Sequence, residues 1–472
     1  MNYQTSGIYT DFYQLAMAQS YFLTRQHQQK VAFDYFFRTL PYQGGYVIFA
    51  GLADVLKSIQ HLHFSAEEID YLREYGFKEH FLKHLENFRF TGNISAPKEG
   101  DVVFPNEPIL HVEGTMLETQ LVETMLLNTL NFQSLIATKA ARIKSVSKDK
   151  ILSEFGLRRA QGAGGVMATR AAIIGGFDST SNVYAAKKYN LKASGTMAHS
   201  YIQMHEDEQV AFRDFAQTNP DNCILLVDTY DTLKSGVPNA ITIAKEMEKK
   251  GHRLQAIRLD SGDLSYLARK SRKMLDQAGL PYVKIAASNQ LDEFVVRSLM
   301  QQEAAIDIFG IGTTLVTGQP DAALGGVYKL VMANGKPRIK ISENIRKTTL
   351  PGNKQVYRLL EEDGTFLGAD AVAQYEEGFP SRITDPYDDR KYMACNTYDK
   401  EALLQPVMKA GEILNLIEDV TTIQRYAAQR LAQLPPEYKR FENPHIYKVG
   451  ISDKTLEIRH QLREKYLWFR EA

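Results

Sequence analysis

The chain has only two cysteines in 472 residues, Cys223 and Cys395, and a single tryptophan. Cysteines so far apart form no CxxC pair, which argues against a disulfide scaffold or a zinc knuckle and fits a reducing compartment. Net charge is missing too: 56 basic residues balance 56 acidic ones, with a pI near 7.2. Nucleic acid is therefore not expected as a partner, although a local anion site stays open. No apolar run reaches the roughly 18 residues of a membrane span, and the opening MNYQTSGIYTDFYQ lacks the basic and apolar stretches of a signal peptide. The expectation is a cytoplasmic protein without a membrane partner. Low-complexity tracts and short-period repeats are also absent.

What is present is a repeated unit between residues 151 and 330: a short aliphatic or β-branched run, a knot of Gly, Asp, Arg, Ser, Thr or His, then a helix-like stretch. The runs are ILSEFGLRR, AAIIGGFDSTS, LKASGTMAHS, CILLVDTYDT, LQAIRLDSGD, VKIAASNQ and IDIFGIGTT. Strands alternating with helices imply a parallel sheet, either an α/β barrel or an open doubly wound sheet; both put the site at the carboxyl ends of the strands. The absence of GxGxxG after the first run, and functional residues at every strand end, favour the barrel. Residues 1–135 read as an α+β domain rich in Tyr and Phe, 136–330 as the barrel, and 331–472 as a C-terminal region packed on it. That region begins with hairpins at Asn334-Gly335 and Pro351-Gly352 and continues as polar helices.

The knots carry the chemistry. Gly310, Gly312 and Thr313 in FGIGTT, with Gly325 and Gly326 downstream, suit a phosphate held by backbone N–H groups, or else a tight turn. Asp228 and Asp231 in VDTYDT, and Asp260 and Asp263 in RLDSGD, suit Mg²⁺ with a polyphosphate or ribose hydroxyls; capping the next helix is their ordinary use. Asp228, Asp260 and Asp263 are the metal candidates. Arg258, Arg158 and Arg159 offer planar cationic forks for a carboxylate or phosphate, against a default of surface pairing. His199 in GTMAHS can serve as a base, a phosphate donor or a nucleophile. His205 reads as a solvated helix start. Phe155 and Tyr13 present flat faces to a planar ring, or are simply core. Lys340, Lys347 and Lys354 either touch phosphates or solvate a hairpin.

Taken in order, TDFYQ, FDYFFRTLP, EFGLRRAQG, GGFDSTSN, GTMAHSY, VDTYDT, IRLDSGDL, FGIGTTLVTG and LGGVYKLV resemble the nicotinate phosphoribosyltransferase family over nearly the whole chain. The resemblance implies a type II phosphoribosyltransferase fold, an irregular α/β barrel assembled as a homodimer with shared sites. It implies a ligase-class enzyme of NAD synthesis, which joins nicotinate to 5-phosphoribosyl 1-diphosphate and hydrolyses ATP with it; Mg²⁺ is the expected cofactor. By position, Tyr13, Thr196 and Arg258 would contact nicotinate, Phe155 would stack on it, Thr313 would bind the phosphoribosyl substrate, and His199 would be the phosphorylated histidine. Asp178 in GGFDSTSN keeps open a nicotinamide-using enzyme of the same fold, and a ligand-sensing relative without turnover is the other alternative.

Overall fold

The structure, a computed structural model, describes residues 5–414 and 417–467. The first four residues and the end of the expected C-terminal helices lie outside that range. The chain forms two compact units, one of Ile136–Ala322 and one of Met1–Leu135 with Ala323–Ala472.

Ile136–Ala322 is built on a six-stranded, wholly parallel sheet. In chain order its strands are Ile151–Glu154, Ser179–Thr180, Ile224–Leu226, Ala256–Leu259, Lys284–Ser288 and Ile308–Ile311. Across the sheet they run second, first, sixth, fifth, fourth, third, so the first and last strands are bonded neighbours. The aliphatic runs form strands because helices cover them: Val237–Lys249, Leu264–Gln277 and Glu293–Gln301 each bury one face, in the second case Ser265, Ala268, Ser271 and Leu275. Helix starts are fixed by Asp263, which accepts the Tyr266 N–H, and by Asp292, which accepts those of Phe294 and Val295.

Two runs depart from the expected strands. Ala171–Ile174 completes a buried helix, Gly164–Ile174, which ends at Gly175; Gly176 follows in a left-handed conformation (φ 112°). The last turn of this helix, Ala171–Ile174, is wholly apolar and buried, so no alternation tells it from a buried strand. The LKASGTMAHS run makes a single bridge, Thr180 to Ala193, before a short helix begins at His199.

In the other unit a seven-stranded sheet places Lys30–Phe37 between Gly326–Ala333 and Leu110–Thr115, and extends through Asn93–Ala96 to Gln405–Lys409. Asn334 and Gly335, both left-handed (φ 51° and 72°), make the two-residue turn that returns the Gly326–Ala333 strand. The main apolar cluster, including Tyr35, Phe37, Phe49, Phe81 and Leu126, packs beneath, and the tyrosines and phenylalanines before residue 90 are largely spent there. A second sheet of six strands is centred on Phe366–Gln374 and Lys448–Ser452. The C-terminal region is thus mostly β as far as Ile413, not helical after the first hairpins; helices occupy Val420–Gln433 and Asp453–Leu467. Phe366–Gln374 is buried along nearly its whole length, so it shows no polar alternation and hides as a strand.

Charge is buried in this unit. Asp34 sits between Lys354 Nζ (2.9 Å) and His111 Nδ1 (2.6 Å), so Lys354 is a buried ion-pair partner and neither solvates a hairpin nor faces a free phosphate. Arg358, wholly buried, bridges Asp101 (2.9 Å) and Asp370 (2.8 Å). No helix among the described residues is long and apolar enough to cross a membrane.

Candidate active site

At the carboxyl end of the first strand the Phe155 N–H donates to Ile311 O (2.8 Å), carrying the chain across to the last strand. One edge of its ring packs against Gly310, where a Cβ would come within 2.5 Å of two ring carbons. Gly310 is thus required by the aromatic seat and not by a left-handed turn. Gly312 precedes a helix of four residues, Thr313–Val316, and backs onto the Phe155 carbonyl; Thr313 is exposed there, while Thr314 Oγ1 donates to Leu291 O (2.6 Å). Beneath the turn, buried Glu154 accepts from the Gly156 N–H, Thr169 Oγ1 (2.9 Å) and Thr180 Oγ1 (2.6 Å), tying the first two strands to the helix that follows.

Facing the ring side of a cavity of about 370 Å³ are Arg258 and Thr196. Arg258 Nη1 donates to Thr196 Oγ1 (2.5 Å), and its Nε is buried with no partner. Burial holds this guanidinium below the usual arginine range; Asp260 and Asp228 work against that, and the nearby charge of Arg158 reinforces it. A half-buried cation with an unmade hydrogen bond calls for an anionic planar ligand.

Beside it runs a polar relay. His199 Nδ1 is 3.0 Å from Thr229 Oγ1, and His199 Nε2 is 3.9 Å from Asp260 Oδ2. If Nδ1 carries the proton, the Nε2 lone pair is free, and the side chain is 40% exposed. Asp260 Oδ1 accepts from the Ser288 hydroxyl, and the Asp260 N–H donates to Asp228 Oδ2 (2.8 Å), which also accepts from Ser261 Oγ (2.7 Å). Asp228 Oδ1 is buried without a partner. Asp228 and Asp260, linked through the Asp260 N–H and the first with an orphaned carboxylate oxygen, are side chains that could hold a divalent cation. Among the described residues no group of three metal-ligating side chains would hold an ion unaided.

The structure thus brings together Phe155, Gly310, Gly312, Thr196, Arg258, His199, Asp228 and Asp260. Arg158 and Arg159 lie exposed in the turn after Phe155. Asp231 and Asp263 are helix caps. Asp178 stands before the second strand, where its carboxylate accepts the Leu152 N–H (2.8 Å) and lies 3.9 Å from Lys144, at the amino end of the sheet. Tyr13, Gly325 and Gly326 belong to the other unit. Tyr13 is 52% exposed; Gly326 opens the strand paired with Lys30–Phe37 and is packed against Asn131 and Tyr35. Sequence reasoning missed Thr229, Ser261, Ser288 and Glu154, although all four lie within or beside the quoted knots.

A family model described as the nicotinate phosphoribosyltransferase family matches residues 151–400, more than half of the chain. The chain belongs to the nicotinate phosphoribosyltransferase family. Models of the family's N-terminal and C-terminal domains match residues 8–131 and 353–459. Nicotinate phosphoribosyltransferase of Bacillus subtilis is 43% identical over 464 residues, covering 95% of this chain and 93% of that one; the Dictyostelium discoideum enzyme of the same name is 36% identical over 98% and 89%. The crystal structure of human nicotinic acid phosphoribosyltransferase superposes with a TM-score of 0.86 at 30% identity, covering 96% of this chain and 99% of that chain.

Proposed function

We propose that this chain forms nicotinate mononucleotide and diphosphate from nicotinate and 5-phosphoribosyl 1-diphosphate in NAD synthesis from salvaged nicotinate, with ATP hydrolysis coupled through phosphorylation of His199. The observation that carries the reading is the Phe155 ring seated on Gly310 beside Arg258 and its unpartnered Nε, within a member of this family. Phe155 stacks on the pyridine ring, and Arg258 and Thr196 hold the carboxylate. The ring nitrogen's lone pair forms the bond to ribose C1 while the C1–O pair departs with diphosphate. Positive charge grows on the sugar as this happens, so the site acts mainly by positioning and by stabilising the leaving anion. Mg²⁺ supplies charge neutralisation to the diphosphate when bound, and Asp228 and Asp260 are the side chains that would hold it. Thr313 and the N–H groups after Gly310 bind the phosphoribosyl substrate. His199 Nε2 takes the γ-phosphoryl group of ATP, releasing ADP, and Thr229 holds the ring's tautomer.

An irregular barrel is the architecture we infer for the parallel sheet. Each step from first to second strand, and from third through sixth, moves the same way across it. Right-handed crossovers then put every helix on one face, as a barrel requires and a doubly wound sheet does not. We also infer a cytoplasmic homodimer with shared sites; the exposed aromatic pair Phe12 and Tyr13 supports it. The engagement of Asp178 by Leu152 speaks against an amide-selecting acid, and so against nicotinamide as substrate.

Purified protein given nicotinate, 5-phosphoribosyl 1-diphosphate and Mg²⁺ should release nicotinate mononucleotide, faster with ATP. His199→Ala should lose ATP stimulation and label from γ-phosphate yet keep slow turnover. Preference for nicotinamide, or binding without product, overturns the reading; label retained by the variant removes His199 as acceptor.

A further inference from the structure

No step of the proposed reaction uses Glu154, yet it is wholly buried behind the turn that carries Phe155. Three donors converge on its carboxylate. The Gly156 N–H reaches one oxygen, and the hydroxyls of Thr169 (2.9 Å) and Thr180 (2.6 Å) reach the other. Asn182 closes the cluster: its N–H donates to Thr180 Oγ1 (2.9 Å) and its side-chain amide to Thr169 Oγ1 (3.2 Å). The Thr180 proton is thereby committed to Glu154, while Thr169 shares its proton between Glu154 and Gly165 O (2.9 Å). Glu154, Thr169, Thr180 and Asn182 are all buried, and only a carboxylate suits the centre. It accepts at both oxygens, whereas an amide would turn its own N–H groups against one of the three donors.

This hub joins two walls of the site. On one side Gly156 follows Phe155, whose N–H is tied to Ile311 O (2.8 Å); a Cβ on Gly156 would come within 2.2 Å of Val316, so the turn has no room to slide. On the other side Thr180 is bridged to Ala193. Its N–H donates to Lys192 O (3.1 Å), and its carbonyl accepts the Ser194 N–H (2.8 Å). Thr196, which accepts from Arg258, stands two residues further along that segment. A single side chain therefore connects the stacking ring to the residue that orients the guanidinium.

We propose that Glu154 is a positioning residue for nicotinate, setting the distance between the Phe155–Gly156 wall and the wall made by Thr196 and Arg258. It touches neither the substrate nor the reacting atoms. Without it the Gly156 N–H and the Thr180 hydroxyl lose their acceptor, and the turn and the 192–196 segment settle independently. A ring stacked on one wall then no longer meets the cation on the other. Thr313 and the N–H groups after Gly310, which hold the phosphoribosyl substrate, lie outside the hub, so that affinity is spared. The proposal rests on nicotinate binding between these two walls.

The test measures the KM for each substrate in the full-length protein. Glu154→Gln should raise the KM for nicotinate about tenfold and that for 5-phosphoribosyl 1-diphosphate by less than about twofold, whereas a residue that only supports the fold would move both. Glu154→Asp keeps the charge but is one methylene too short to span Gly156 and both threonines, so it should be as impaired as Glu154→Gln. Thr180→Val should raise the KM for nicotinate about threefold, and Thr180→Ser, which keeps the hydroxyl, should restore it. In the Glu154→Gln background Thr180→Val should add nothing, because both act through one contact. If Glu154→Gln does not fold, the two threonine variants decide alone. An unchanged nicotinate KM in Thr180→Val, equal rises for both substrates, a normal Glu154→Asp, or effects that multiply in the double variant overturns the proposal alone. A wild-type protein that nicotinate does not saturate overturns the reading beneath it, and this proposal with it.

Discussion

Arg258 and His111 show how one buried charge serves binding and another serves stability. Arg258 spends one N–H on Thr196 and leaves Nε bare. Replacing it with Gln should raise the KM for nicotinate about 10- to 100-fold, the cost of a charge-assisted bond of roughly 1.5–3 kcal/mol, with a smaller change in kcat; steady-state rates against nicotinate concentration check this. Arg258→Lys should rescue little, because an ammonium cannot present the planar fork. At His111 burial alone would push the imidazole down, but the Asp34 carboxylate on Nδ1 and Glu113 nearby push it up to about 9, from 6.5. A raised folded value means the contribution is whole below about pH 6.5 and lost as pH climbs through 9. Urea midpoints should therefore fall over that window, and His111→Gln should flatten the fall. The sequence singles out Asp228 and Asp260 for catalysis but keeps Asp263 beside them as a metal candidate, since in both rim knots, VDTYDT and RLDSGD, either carboxylate can cap. Geometry separates them: in each motif the first aspartate, Asp228 or Asp260, joins the polar relay, while the second, Asp231 or Asp263, caps a helix.

Elements were legible where burial left a pattern. The runs at Ile151, Ile224, Ala256, Lys284 and Ile308 are short, aliphatic and stopped by Asp, Ser or Gly, so they read as parallel strands. The Ala171–Ile174 run was misread because a buried helix end and a buried strand look alike, and the β-rich stretch up to Ile413 was missed because its central strand is covered on both sides. The glycines of FGIGTT were noticed for a phosphate, yet Gly310 answers first to the ring of Phe155. Gly310→Ala should push that ring off its seat, which predicts a higher KM for nicotinate and a destabilisation of about 1–3 kcal/mol. Kinetics and denaturant midpoints on the same variant check both; an unchanged KM would mean the ring's position does not matter to binding.

At the scale of the molecule, one unit is a single stretch, Ile136–Ala322, and the other is assembled from both ends of the chain. A fragment holding 136–322 should unfold cooperatively by itself. One holding 1–135 should not, because Lys30–Phe37 lacks its Gly326–Ala333 neighbour and exposes a long aromatic edge. Circular dichroism melts of the two fragments decide this, and a cooperative transition in 1–135 would contradict it.

The pairing of Val31 with Ala333 also sets a clock during synthesis. Ribosomes add roughly 5–20 residues per second, so this strand waits on the order of 15–60 s for its mate to emerge. Throughout that wait the nascent chain offers an apolar ribbon to any passing holdase, while the intervening parallel sheet is already free to fold. Speeding translation of that insert should shorten the exposure, and slowing it should raise the share of newborn chains lost to aggregation.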